Sequence, residues 1–200
     1  MIGNGYLKVV GIGGTLRENS TSLGALGRSL AAAEDAGAVV ELLDLNVLRL
    51  PMYEPGKPLD EYNENVRRLV SAIRGADGLL VSTAAYHGSL AGVTKNALDF
   101  VHFLGGDEPA YLDGKVVGLI STAGGEQAAA NANAAMVNVV HSLRGIVAPL
   151  TVGVTRAWQR TDDGGEITDE NFGRRLDSLG TLVVDLAQKI VASERVEAVA

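Results

Sequence analysis

Residues Gly11 to Ser22 read GIGGTLRENSTS and follow the apolar run Leu7-Lys8-Val9-Val10. The stretch holds three glycines, one cation and four hydroxyls. Glycine lets a backbone close on a ligand, and hydroxyls and a guanidinium donate to oxygen, so this mixture suits an anion. It matches neither common phosphate loop. A dinucleotide fingerprint needs a third glycine where Leu16 stands, and a Walker loop needs Gly-Lys-Ser/Thr, while no lysine lies between Lys8 and Lys57. If a strand ends near Ile12 and a helix starts near Ser20, the loop lies at a helix N-terminus, where unpaired N–H groups and the dipole favour negative charge. Thr15, Arg17, Ser20 and Ser22 would then ring a terminal phosphate monoester. The plainer alternative makes Ser20 or Thr21 an N-cap and the glycines a tight turn.

Two further segments have the same character. The first is STAAYHGSLAGVTKNALDF, Ser82 to Phe100, in which Gly88 and Gly92 bracket a turn. Backbone amides there can line the flat polar edge of a ligand, with Tyr86 packed on a ring and His87 as a candidate contact to ring or substrate. Lys95 and Asp99, four apart, form an ion pair on one helix face. The second is STAGGE, Ser121 to Glu126, where Gly124 and Gly125 permit close backbone approach. Each also reads as an ordinary loop between strand and helix. One phosphate loop and two backbone-rich loops together suit a mononucleotide with a large flat head, the shape of flavin mononucleotide (FMN).

The elements that must hold these loops alternate along the chain. Strands are expected at Leu7–Ile12, Val39–Leu43, Gly78–Thr83, Val116–Ser121 and Ile146–Val154. Helical spacing runs through Leu23, Leu26 and Leu30, then Tyr62 to Ile73, Val93 to Leu104, Ala132 to Leu143 and Phe172 to Ile190. Strands apolar on both faces belong to a parallel sheet covered by helices. The fold class is α/β, a doubly wound five-stranded parallel sheet with helices on both faces. Ligands in such sheets sit beyond the carboxyl ends of the strands, where the winding reverses. Only the segments leaving strands one, three and four qualify, and they are the three loops above. The segments 45–60 and 155–168, the latter with Trp158, are placed to cover a substrate site. Asp44 after strand two has the position of a ribose contact, but the fingerprint that would accompany it is missing.

Composition narrows the classes. Apolar residues make up 46% and charged residues 20% of 200 residues, which fits one globular domain spanning 1–200. A formal charge of −7 argues against nucleic acid. The absence of cysteine excludes disulfides, thiolate metal sites and cysteine nucleophiles, and the three histidines lack zinc spacing, so no metal site is expected. The N-terminus MIGNGYLK has no apolar leader and no run reaches membrane length. A cytoplasmic protein without a membrane partner is the expectation.

These residues resemble a known family. GGTLRENS is similar to the Gly-Ser-x-Arg-x-x-Ser phosphate loop of the NADPH-dependent FMN reductases. AAYHGSLAGVTKNALDF resembles their longer second signature, Pro-x-Tyr-x-Gly-Ser-x-x-Gly-x-x-Lys-Asn-x-x-Asp-Trp/Phe. Thr15 stands for the usual Ser and keeps its hydroxyl, and Ala84 stands for the usual Pro. The resemblance implies a flavodoxin-like fold of strand order 2-1-3-4-5 and non-covalent FMN. It implies hydride transfer from NADPH, or NADH, to FMN, then delivery to a small-molecule acceptor such as free flavin or a quinone by ping-pong exchange. It also implies a homodimer or homotetramer. Thr15, Arg17, Ser20 and Ser22 would hold the phosphate, and Tyr86, His87, Gly88 and Ser89 would surround the ring. Gly124 and Gly125 would meet its pyrimidine side. With the neighbouring loop positions Gly14, Leu16, Thr21, Ala85, Ser121, Thr122 and Ala123, these are the expected cofactor contacts. Hydride transfer is the cofactor's own chemistry, so no general acid or base is assigned. The competing expectation is an electron carrier of flavodoxin type that does not oxidise nicotinamide.

Overall fold

The computed structural model describes residues 6–197; the first five residues, on which the expectation of no apolar leader partly falls, lie outside the described residues. Six strands and six helices alternate: β1 (Lys8–Gly13), α1 (Thr21–Asp35), β2 (Val39–Asp44), α2 (Leu45–Leu48), α3 (Glu64–Arg74), β3 (Gly78–Tyr86), β4 (Ser89–Leu90), α4 (Gly92–Asp99), β5 (Val116–Ala123), α5 (Glu126–Ser142), β6 (Ile146–Thr155) and α6 (Glu170–Glu197). The parallel sheet runs β2-β1-β3-β5-β6, and the two-residue β4 pairs antiparallel with the end of β3. With β4 set aside, this is the order 2-1-3-4-5 expected for five strands.

Alternation along the strands explains the two layers. Val9, Leu80, Val116 and Ile120 point to one face, where they join Leu26 and Leu30 of α1 and Leu176, Leu179 and Val183 of α6. Their neighbours Val10, Leu79, Val117 and Leu119 point to the other, against Leu69 and Ile73 of α3, Leu98 of α4 and Met136 of α5. Successive side chains on a strand face opposite ways, so an unbroken apolar run supplies both cores. Burying one such leucine contributes about 2 kcal/mol, and the helical stripes bury one every turn.

Three local features depart from the periodicity reading. The helix expected through Leu104 is α-helical only to Asp99; Phe100–Leu104 continue as a 3-10 segment, the tighter winding common at helix ends. The segment after β2 begins with the short α2, whose N-cap Asp44 accepts the Asn46 N–H at 2.8 Å. Asp44 is thus a cap. Residues 51–53 are pinned to α4, because Asn96 Oδ1 accepts the Tyr53 N–H at 2.9 Å and its amide donates to the Pro51 carbonyl at 2.8 Å. Third, β3 runs on to Tyr86 and folds back. His87 (φ 49°) and Gly88 (φ 87°) form a two-residue turn with positive φ at both positions, which matches the twist of an antiparallel hairpin.

Among the described residues no helix is long and apolar enough to cross a membrane. No group of three or more acidic or histidine side chains among them could hold a metal ion.

Candidate active site

The winding reverses between β1 and β3, which are hydrogen-bonded neighbours. Beyond their carboxyl ends, and that of β5, lies a cavity of about 910 Å³. Its size lies within the roughly 300–1,000 Å³ usual for cofactor sites. Thr15, Arg17, Ser20, Thr21 and Ser22 line it from the first loop, Ala84, Ala85 and Tyr86 from the end of β3, and Thr122, Ala123 and Gly124 from the end of β5. The three segments singled out in the sequence therefore meet at one place.

The first wall has the chemistry of an anion site. Ser20 is the N-cap of α1, yet its hydroxyl caps no backbone N–H; it lies 3.1 Å from the Ser22 hydroxyl instead. Ser20 is 7% and Ser22 1% exposed. The first turn of α1 contains no acidic residue, whereas α3, α5 and α6 open on Glu64, Glu126 and Glu170. The other long helices complement their dipoles with their own carboxylates; α1 leaves its N-terminus for a negative charge from elsewhere. Arg17 is exposed and forms no ion pair among the described residues. Thr15 accepts the Arg17 N–H at 3.2 Å, which curls the loop.

Buried hydroxyls fasten this wall to the sheet. Ser82 donates to the Ser22 carbonyl at 2.7 Å, tying β3 to the start of α1. Thr83 accepts the Ala91 N–H at 2.9 Å and lies 3.0 Å from the Thr94 hydroxyl, which fixes the entry to α4. Ser121, fully buried, donates to the Ala129 carbonyl at 2.9 Å and stands behind the cavity wall. Gly14, Leu16, His87, Gly88, Ser89 and Gly125 also lie outside the lining. Leu16 points to a separate small cavity with Leu45, Arg49, Leu50, Val93 and Asn96. His87 and Gly88 form the exposed tip of the β3–β4 hairpin. Lys95 and Asp99 pair at 2.5 Å along α4.

A fourth wall comes from residues 157–165, with Ala157, Trp158, Thr161, Asp162, Asp163 and Gly165 in the lining. The expectation that 155–168 covers the site agrees with this; the partner segment 45–60 contributes nothing to the lining. Trp158 lies over the third loop, its Cζ3 3.0 Å from the point a Cβ on Gly124 would occupy. Glu18, Asn19, Asp162 and Asp163 were not singled out in the sequence; polar residues in non-periodic loops give no pattern to find them by.

The residues fit FMN. Hydroxyls, a guanidinium in no ion pair among the described residues and the N-terminus of α1 come from the first loop, and the backbone at the ends of β3 and β5, with Tyr86 and Trp158, from the other walls. A doubly wound sheet with this site defines a mononucleotide-binding α/β protein.

The chain belongs to the NADPH-dependent FMN reductase family, whose family model matches residues 7–159. It is 32% identical over 114 residues to the FMN-dependent NADPH-azoreductase of Staphylococcus haemolyticus, covering 56% of this chain and 57% of that protein. It is 36% identical over 94 residues to an NAD(P)H-dependent FMN reductase of Pseudomonas aeruginosa, covering 47% and 49%. The chain thus spans about half the length of these curated relatives. Among solved structures it resembles FerB, a flavoenzyme NAD(P)H:(acceptor) oxidoreductase from Paracoccus denitrificans, with TM-score 0.70 and 25% identity over 92% of this chain and 98% of that one. An archaeal flavodoxin shares the fold alone, with TM-score 0.57 and 12% identity over 92% and 97% of the two chains.

Proposed function

We propose that this protein is an FMN-dependent NAD(P)H oxidoreductase that passes reducing equivalents to a small-molecule acceptor by ping-pong exchange. One observation carries the reading: three loops from β1, β3 and β5 meet in a single cavity whose anion end lacks any carboxylate in the first turn of its helix. Membership of the FMN reductase family supports the same cofactor and donor.

In this reading Ser20, Ser22, Thr15 and Arg17 hold the phosphate, with the first N–H groups of α1. The loops at Ala85–Tyr86 and Thr122–Gly124 orient the ring edge through backbone groups. Bound FMN would supply the redox chemistry, the hydride coming from NAD(P)H and the accompanying proton from solvent, with two electrons and two protons passed on to the acceptor. The protein contributes position and access and needs no titrating residue at the reacting atoms.

The test is titration of purified protein with FMN, followed by anaerobic addition of NADPH and, separately, NADH. Stoichiometric FMN uptake and bleaching of the bound flavin are expected. Uptake without oxidation of either nucleotide would replace the enzyme with an electron carrier, and no uptake would end the reading.

A further inference from the structure

The first turn of α1 brings no carboxylate to the anion wall, yet the loop before it and the bend beside it do. The charged residues lining the cavity are Arg17, Glu18, Asp162 and Asp163, three carboxylates to one guanidinium. Asp162 and Asp163 lie beyond residue 159, where the match to the family model ends. Arg17, Glu18 and Asp163 are exposed and in no ion pair among the described residues.

Backbone contacts bring the three carboxylates to one place. Glu18 sits between Arg17 and Asn19 on the first loop. The bend carrying Asp162 and Asp163 leans on the next two residues of that loop. The point a Cβ on Gly165 would occupy is 2.9 Å from the Asn19 carbonyl oxygen and 3.2 Å from the Ser20 carbonyl carbon. Asp162 Oδ1 accepts the N–H groups of Gly164 and Glu166, both at 2.9 Å, which keeps that carboxylate within the bend and leaves its charge in place. The buried Ser20 is therefore flanked by Glu18 on its own loop and by the acidic bend across it.

Two ranges of force act on a phosphate at this wall. Hydrogen bonds from the hydroxyls, the α1 N–H groups and Arg17 act at contact and recognise its oxygens. Charge repulsion falls only inversely with distance, so carboxylates further off still oppose a group of charge about −1.5 to −2 at pH 7. Salt screens exposed charges, and screens contacts to buried groups much less. We infer, on the function proposed above, that Glu18, Asp162 and Asp163 set how strongly the site favours a phosphorylated flavin. The donors recognise the phosphate, and the carboxylates hold its affinity below what the donors alone would give. The grip on FMN then tightens as ionic strength rises, the reverse of a site built from cations alone. Riboflavin, which brings no charge to this wall, is indifferent to them.

The experiment titrates the purified full chain with FMN and with riboflavin at ionic strengths of about 0.01 M and 0.15 M, between which the screening length falls from about 30 Å to about 8 Å. FMN should bind the unaltered protein about twofold tighter or better at the higher value, with riboflavin unchanged. Glu18→Gln and Asp163→Asn each remove one charge from an exposed side chain that makes no hydrogen bond among the described residues. Each should tighten FMN about twofold or better at low salt, and the two together should flatten the response to salt. Glu34→Gln, at the far end of α1, changes the net charge by the same amount and should leave FMN affinity as it is. Unchanged or weaker FMN binding in both wall variants overturns the inference, as does a Glu34→Gln protein that gains as much as they do. An equal gain for riboflavin overturns it too, since the carboxylates would then not act on the phosphate. Failure of the unaltered protein to take up FMN at either salt overturns the underlying reading and this one together. FMN uptake with wall variants that bind no tighter overturns this one alone.

Discussion

The carbonyl oxygen of Gly165 stands 2.2 Å from the point that a Cβ on Gly24 would occupy. Gly24 lies in the first turns of α1, and Gly165 closes the fourth wall of the cavity, so the two walls touch backbone to backbone. Gly24→Ala would add helix propensity of about 1 kcal/mol. It would also force a methyl into a main-chain oxygen that has no flexible end to swing away, an overpacking cost of about 1–3 kcal/mol and occasionally more. The clash should win. Thermal denaturation should show a lower midpoint, and FMN titration a weaker complex, because the displaced segment carries Trp158.

The phosphate loop should read the phosphate and nothing else of the ligand. Arg17→Ala combined with Ser20→Ala removes one charge-assisted and one neutral donor, and each is worth about 1 kcal/mol or more when its partner stays in place. FMN affinity should fall by about tenfold or more, with riboflavin affinity little changed. Parallel titrations with the two flavins check this, and an equal loss for both would refute it.

The start of α6 should give acid sensitivity. Asp169 accepts the N–H groups of Phe172 at 3.1 Å and Asn171 at 3.0 Å and pairs with Arg160. The Phe172 N–H chiefly, then the Arg160 guanidinium and the Asn171 N–H, outweigh desolvation and hold this carboxyl below its ordinary value. A group depressed in the folded state stabilises above its unfolded pKa, and that contribution disappears as pH falls through the folded value. The window therefore opens near the ordinary Asp value of about 4 and extends downward. Asp169→Asn should lower stability at neutral pH and flatten its dependence on acid, as measured by urea denaturation at a series of pH values.

The hairpin tip should depend on backbone shape alone. A Cβ on Gly88 would meet nothing within 4 Å, but the residue holds φ at 87°. Gly88→Ala should therefore cost about 1–2 kcal/mol through conformation rather than contact. His87→Asn, which suits the left-handed region, should hold or raise the melting temperature.

Most of the sheet was legible because each strand's apolar run feeds two cores, a pattern that survives without an alignment. Its order, 2-1-3-4-5, came from the resemblance carried by GGTLRENS and AAYHGSLAGVTKNALDF. The positions of Thr15, Arg17, Ser20 and Ser22 on the cavity were legible for the same reason: strand end, glycines and helix start lie within one short stretch. The β3–β4 hairpin was not, because His87 adopts a conformation usually signalled by Asn or Gly. Nor was the chemical make-up of the fourth wall. Residues 157–165 reach the cavity through the contact of Gly165 with Gly24, far apart in sequence, and no local periodicity records such a contact. Ser121 shows the converse, since a hydroxyl at a strand end can serve the fold and turn its proton to a carbonyl behind the wall.

Leu16 breaks the dinucleotide pattern in the sequence, and its position gives that break a purpose. Its neighbours Thr15 and Arg17 face the large cavity, while Leu16 itself, half exposed, lines a smaller one with Leu45, Leu50 and Val93. One short loop therefore has a gripping side and a far side that borders a second cavity shared with Leu45 of α2 and Val93 of α4. Filling that second cavity would press on the loop from the side away from the ligand and retune its grip without altering a single donor.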